Sequence, residues 1–311
     1  MEDYPKTLLE LENRFSTEEA CRQYFLQLRW PDGFKCPNCD SQEAWLTNRS
    51  LFHCRNCGAQ TSIFAGTILQ DTKKPLQLWF KAVWHVTNQK YGANALGLQR
   101  ILGLGSYRTA WSWLHKLRRA MVRPDRDRLS GIIEVDETYI GGKKAGRRGR
   151  GAEGKELVLI AAQIDGKKIG RIRLQRIPDA SGSSLENAIK SHIEPGSIVQ
   201  TDGWQGYNGI GGQSYLHEVV RDEFDVGENL LPKAHLVASL LKRWLLGTYQ
   251  GAVSPIHLDY YLDEYTFRFN RRTSKSRGKL FYRLLQQIAQ VEPVPVKEIL
   301  RQRRKPAAIY D

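Results

Sequence analysis

The chain of 311 residues is poor in cysteine and has no long apolar run. No stretch approaches the ~20 apolar residues that a bilayer-spanning helix needs. No basic amphipathic segment stands out as a surface anchor, and no signal peptide precedes the first periodic segment. These absences argue against a membrane-spanning helix and predict a cytoplasmic protein. Internal repeats and long low-complexity tracts are also missing, which removes solenoids and disordered scaffolds from consideration. Acidic residues are outnumbered: 47 Lys and Arg face 33 Asp and Glu, leaving a net charge of +14. A surplus of that size favours a polyanionic partner, most simply nucleic acid. With 41% hydrophobic and 26% charged residues the composition is that of a soluble globular protein. The length suits one large domain with one or two small ones.

Four of the five cysteines fall into two knuckles, Cys36-Pro-Asn-Cys39 and Cys54-Arg-Asn-Cys57, separated by fourteen residues. Four thiolates so spaced can close tetrahedrally around one zinc ion and leave no position for water or substrate. Disulfides are disfavoured because the chain shows no export signal and Cys21 is left over. A closed four-cysteine site does no chemistry, so the zinc organises a small module and the function lies elsewhere.

Hydrophobic periodicity divides the rest. Residues 8 to 29 read as one helix, followed by a zinc ribbon over 30–70, with Phe34, Trp45, Phe52 and Phe64 as its apolar cover. The region 71–124 becomes helical, with Pro75 well suited to start a helix. A segment from Asn94 to Leu102, the turn Gly103-Leu-Gly-Ser106 and a helix from about Tyr107 to Val122 make a helix-turn-helix pattern. Arg108, Lys116, Arg118 and Arg119 give its second helix a basic face suited to DNA, with Trp111, Trp113, Leu114 and Leu117 packing the other. From about 130 to 290 the pattern is that of an α/β domain, with strands at Ile132–Asp136, Leu157–Ile164, Lys168–Leu174 and Ser197–Thr201 and a short one at Val219-Val220. Residues 291–311 form a tail. Between the first two strands, Lys143, Lys144, Arg147, Arg148 and Arg150 lie in a Gly-rich loop that would settle along a phosphate backbone.

Asp136 ends the strand Ile-Ile-Glu-Val-Asp, and Asp202 directly follows Ile-Val-Gln-Thr. Strand ends in α/β sheets project into a shared crevice. Two carboxylates there could hold magnesium or manganese for phosphodiester chemistry. Asp202-Gly203 is equally a turn dipeptide, so a capping role stands beside the metal reading.

The wording of the sequence then matters. Glu134-Val-Asp-Glu-Thr-Tyr-Ile-Gly-Gly-Lys143, Thr201-Asp-Gly-Trp-x-Gly-Tyr207, His235 through Lys242-Arg-Trp-Leu-Leu-Gly-Thr248, and Tyr261-Leu-Asp-Glu-Tyr-Thr-Phe-Arg-Phe-Asn-Arg-Arg272 resemble bacterial insertion-sequence transposases of the ISXO type. The resemblance covers nearly the whole chain, from the first cysteine knuckle to Leu285. It implies a zinc ribbon and helix-turn-helix ahead of a ribonuclease-H-like catalytic domain. Asp136 and Asp202 become the first two members of a DDE-type triad. The expected spacing for the third member lands on His235, 33 residues after Asp202, with a basic residue, Lys242, seven further on. Glu228 and Asn229 are neighbouring candidates for that third place, and Leu240 stands where relatives often carry Asn. Lys242 and Arg243 would grip the DNA end. Glu137, on the opposite strand face from Asp136, is expected to be structural.

The resemblance therefore implies a nucleoid-associated transposase, acting as a homo-oligomer on DNA, that cuts at terminal inverted repeats and joins 3′ ends to target DNA. It would use structural zinc and catalytic magnesium or manganese. The competing reading is an inactive or domesticated zinc-ribbon and helix-turn-helix DNA-binding protein. A ribonuclease-H-like nuclease with other substrates would leave the two amino-terminal modules idle.

Overall fold

A computed structural model describes residues 2–123, 126–141, 155–212, 214–220, 230–251 and 253–301. The chain divides into two compact units. One runs from the amino terminus to Arg123 and takes in Ser274–Leu300, and the other includes Pro124–Thr273.

In the first unit, α1 (Leu8–Arg14) and α2 (Glu18–Arg29) replace the single helix expected there. The break comes at Thr17, whose side chain accepts the N–H of Ala20 and starts a new helix. Next come β1 (Ala44–Leu46), β2 (Leu51–Cys54) and β3 (Gln60–Ser62), an antiparallel sheet in that order. Three helices follow: α3 (Leu76–Asn88), α4 (Ala95–Leu102) and α5 (Tyr107–Ala120). Gly103 closes α4 in the left-handed region at φ 60°, which an L side chain adopts only with strain, and so turns the chain into α5. Trp79 of α3 stacks on Trp113 of α5 with centroids 3.7 Å apart, fixing this helical group.

Residues 274–290, which the sequence pattern assigned to the catalytic domain, belong instead to this first unit. They form α9 (Arg277–Gln290), whose Phe281 packs edge-on against Phe80 and Trp84 of α3. Periodicity identifies a helix with an apolar face but does not say which core receives it.

The second unit holds a five-stranded sheet in the order β6-β5-β4-β7-β8. Its strands are β4 (Ile132–Ile140), β5 (Glu156–Asp165), β6 (Lys168–Ile177), β7 (Ile198–Thr201) and β8 (Leu216–Val219). The β4–β5 and β5–β6 pairs are antiparallel, whereas β7 runs parallel to both β4 and β8. Successive side chains alternate between faces. Val158, Ile160 and Ala162 of β5 therefore pack with α7 (Pro232–Tyr249) and α8 (Leu258–Asn270), while Leu157, Leu159 and Ala161 pack with α6 (Gly182–His192). Burial on both faces explains why β5 reads as an unbroken apolar run. α10 (Val296–Arg301) ends the described chain. Among the described residues no helix is long and apolar enough to cross a membrane.

The basic and aromatic run at the end of α8 makes contacts within the unit. Asn270 Oδ1 accepts the N–H of Ile172 at 2.7 Å, and its Nδ2 donates to the Ile172 carbonyl at 3.1 Å. One side chain thus pairs with the open edge of β6 as a neighbouring strand would. Arg268 pairs with buried Glu264, Arg272 donates to the Gly170 carbonyl, and Phe267 and Phe269 are buried.

Candidate active site

The cysteine site is built by two knuckles of identical backbone form. The N–H of Asp40 donates to the Cys36 carbonyl, and that of Gly58 to the Cys54 carbonyl. Both turning residues lie four after the first cysteine of their knuckle, in the left-handed region at φ 57° and 72°. The four sulfurs all lie within 4.8 Å of one another, with Cys36–Cys57 and Cys39–Cys54 each at 3.6 Å. Sulfurs held tetrahedrally at ~2.3 Å from zinc stand ~3.8 Å apart, so the set fits that ion. The backbone N–H groups of Cys57 and Asn56 help lower the Cys54 thiol to about 6, while the crowding sulfurs, Cys39 foremost, push Cys57 up to about 12, so the fit to zinc rests on the spacing of the four sulfurs. In the ribbon Trp30, Phe34 and Phe52 pack on one another, Phe34 and Phe52 stacked at 4.9 Å. Trp45 departs from expectation: it is 43% exposed and lies against His53.

In the second unit, Asp136 does not end its strand as expected: β4 pairs with β5 as far as Ile140, so Asp136 lies in the middle of β4, on its α7 face. The β4–β7 register pairs Glu134 with Gln200, so Asp136 and Asp202 fall at neighbouring strand positions and on the same face. His235 lies in the first turns of α7 and brings Nε2 to 3.2 Å from Asp136 Oδ2. Lys242 lies two helical turns on and is exposed; burial lowers its ammonium from the usual range, against the opposing pull of the Asp136 carboxylate. Burial, then the charge of Glu137, raise the Asp136 carboxyl to about 6, and Asp202 adds to the same effect. Such a concentration of partly buried negative charge is what a divalent cation relieves. Asp202 also does what its turn dipeptide suggested: Oδ1 accepts the Trp204 N–H at 3.1 Å. Among the described residues, the tight set of ligand atoms is the four cysteines; Asp136, Asp202 and His235 are not drawn together to that degree.

Glu137 points to the other face, as expected, where it accepts the Tyr207 hydroxyl at 2.5 Å. Glu134 was not singled out by the sequence. It is 3% exposed, and its Oε2 accepts the N–H groups of Lys233 and Ala234 at 2.7 and 2.9 Å. Its place two residues before Asp136, and so on the same strand face, is the only signal that marked it.

Among the expected DNA contacts, Arg108 and Arg243 are exposed, and Lys116 and Arg119 are half-buried. Arg118 is a correction. It is 2% exposed, with a guanidinium nitrogen 3.3 Å from His115 Nδ1, so it offers no surface to a phosphate. The helix turns it inward beside Leu114 and Leu117, a face that periodicity could have marked. Lys143, Lys144, Arg147, Arg148, Arg150, Glu228 and Asn229 lie outside the described residues.

Comparisons with known proteins find family matches over two segments of the chain. Residues 128–270 match the ISXO2-like transposase domain, and residues 16–60 match the transposase zinc-ribbon domain. A protein of Halobacterium salinarum, described as an uncharacterized protein in transposable element ISH50, is 25% identical over 286 residues, covering 85% of this chain and 94% of that protein. The crystal structure of a pre-cleavage Mos1 transpososome aligns over 71% of this chain and 79% of its own at 11% identity; at a TM-score of 0.27 that likeness is too loose to bear on the fold. Over those matched segments the chain carries an ISXO2-like transposase domain behind a transposase zinc ribbon.

Proposed function

We propose that this protein is a DNA transposase that cuts at the ends of its own element and joins the freed 3′-hydroxyls to target DNA. The observation that carries the reading is the approach of His235 Nε2 to Asp136 Oδ2 at 3.2 Å, with Asp202 following the neighbouring strand, within the segment that matches the transposase domain. The sheet supports a ribonuclease-H-like assignment, because β4, β5 and β6 form an antiparallel meander and β7 and β8 add in parallel to β4. The α4–Gly103–α5 hairpin supports a helix-turn-helix.

Asp136 and Asp202 offer oxygen ligands and His235 an imidazole nitrogen, a set that suits magnesium or manganese. A divalent ion held there would supply charge neutralisation at the phosphate undergoing substitution. In the first step a water oxygen bonds to phosphorus, and the bond to the 3′-oxygen breaks. That freed 3′-hydroxyl then attacks a target phosphodiester, exchanging one P–O bond for another. Lys242 would meet the phosphate charge near Asp136, and exposed Arg243 would hold the flanking strand. Arg108, Lys116 and Arg119 on α5, with Lys143, Lys144, Arg147, Arg148 and Arg150, would bind the DNA duplex. A homo-oligomer would bring two element ends together.

The test is cleavage and strand transfer on DNA carrying the element's inverted repeats, with manganese present. Products formed by the wild type and lost in Asp136→Ala are expected. A wild-type protein that binds this DNA but never cuts it would instead establish the inactive DNA-binding reading.

A further inference from the structure

Glu134 is a buried carboxylate that accepts two backbone N–H groups from a helix whose own sequence supplies no cap. The residue before α7 is Leu231, which has no polar side chain to offer, and the helix begins at Pro232. Proline at the first position has no N–H to satisfy. His235 makes the first intrahelical bond, donating to the Leu231 carbonyl at 3.0 Å. That leaves the N–H groups of Lys233 and Ala234 as orphans of the first turn. Glu134 takes both through Oε2, and its Oε1 lies 3.9 Å from Lys233 Nζ.

We infer that Glu134 is a positioning residue that clamps the start of α7 to β4 and thereby sets His235 against Asp136. The placement follows from chain geometry. Glu134 and Asp136 are two residues apart on one strand face, and Ala234 and His235 are consecutive in the first turn. A carboxylate at a helix amino terminus gains from the helix dipole, and charge-assisted bonds to N–H groups are short and directional. Because Glu134 is 3% exposed, its bonds are not exchanged for water bonds without cost. Lys242 is carried on the same rigid helix, so one contact orients both α7 groups. The role rests on the proposed metal reading of Asp136 and His235, and extends it to a residue that touches neither metal nor DNA.

The experiment uses the full chain with zinc in its ribbon. Two quantities are measured: amide hydrogen exchange at Lys233 and Ala234, and Mn²⁺ affinity from the free-ion EPR signal without DNA, taking Asp136→Ala as background. Glu134→Ala is expected to deprotect both amides and to weaken Mn²⁺ about tenfold, the scale at which outer-shell partners act. Glu134→Gln keeps a carbonyl oxygen to accept the N–H groups and is expected to recover most of both. In a His235→Ala background, Glu134→Ala should weaken Mn²⁺ no further, since its effect passes through His235. Equal Mn²⁺ loss in both backgrounds would reduce Glu134 to general fold support and overturn the role, as would unchanged amide protection. If Glu134→Ala does not fold, the same cycle run with Glu134→Gln decides by whether its smaller loss depends on His235. Wild-type Mn²⁺ binding no stronger than that of Asp136→Ala would mark a different failure, that of the metal reading itself, and the role would fall with it.

Discussion

His235 Nε2 faces Asp136 Oδ2 at 3.2 Å, joining the amino-terminal end of α7 to the middle of β4 across 99 residues of chain. A carboxylate and an imidazole so placed can share a cation or a proton. The metal reading makes the choice testable. Asp136→Ala and Asp202→Ala should each abolish strand cleavage and leave DNA binding within about twofold, since neither residue is part of the basic surface. His235→Ala should also lose cleavage, whereas His235→Glu should keep a measurable part of it by offering an oxygen ligand better suited to magnesium. Full activity in His235→Ala would transfer the third role to Glu228 or Asn229.

The zinc site should be separable from the catalytic unit. Zinc binding to such a site is worth ~10 kcal/mol or more, and a ribbon with so small an apolar cover has little else to fold on. Cys54→Ser should therefore release the zinc and unfold residues 30–68, while the sheet of β4 to β8 keeps its hydrogen-exchange protection. Cys21, buried on α2 and outside the cluster, should bind none. One zinc per chain in Cys54→Ser would refute the four-cysteine assignment.

Legibility in the sequence divided along the range of the interactions. The cysteine spacing, the strands around Asp136 and Asp202, and the α4–α5 hairpin are local patterns, and each lies within a few residues of its expected place. The 33-residue step from Asp202 to His235 was readable only through family wording, because spacing alone does not say that a helix returns to β4. The contacts that were not legible join distant segments. Glu134 holds Lys233 and Ala234, Asn270 closes the β6 edge, and α9 goes back to the first unit. Arg118 shows the converse: its charge advertised a surface role, while its helical position placed it inside.

Asn270→Ala should destabilise the second unit by about 2 kcal/mol, through two lost hydrogen bonds and an Ile172 N–H and carbonyl left without those partners. The same change reopens an edge strand, so soluble aggregation should rise with protein concentration. Urea unfolding followed at several concentrations separates the two effects. Asn270→Asp retains one acceptor and should fall between the variant and the wild type.

The DNA-binding surface makes a graded prediction. Arg108→Ala and Arg119→Ala should each weaken duplex binding similarly on any sequence and reduce the slope of log K against log salt by about one. Arg118→Ala should leave that slope unchanged and lower the melting temperature instead, because its guanidinium is buried. A loss of slope in Arg118→Ala with no loss of stability would return the residue to the surface.

The Asp136 carboxyl gives the last prediction, and its sign is unusual for an acid in a folded protein. Burial and the Glu137 charge lift it from 3.8 to about 6, so the folded state disfavours the ionised form. Below pH 3.8 the group is protonated whether the chain is folded or not, and it costs nothing. As pH rises through 6 the unfolded chain has already ionised it, and the folded chain is forced to follow. Stability is therefore lost over roughly pH 4 to 6, and the deficit persists above that range. A difference of about two pKa units corresponds to about 3 kcal/mol at most. Asp136→Asn cannot ionise. Without added divalent ion it should match the wild type near pH 4 and be the more stable protein at pH 8. Magnesium or manganese should close that gap by stabilising only the wild type. Urea unfolding of both proteins at the two pH values, with and without the ion, makes the comparison. A wild type already as stable as Asp136→Asn at pH 8 without the ion would show that Asp136 is not the strained ligand the site requires.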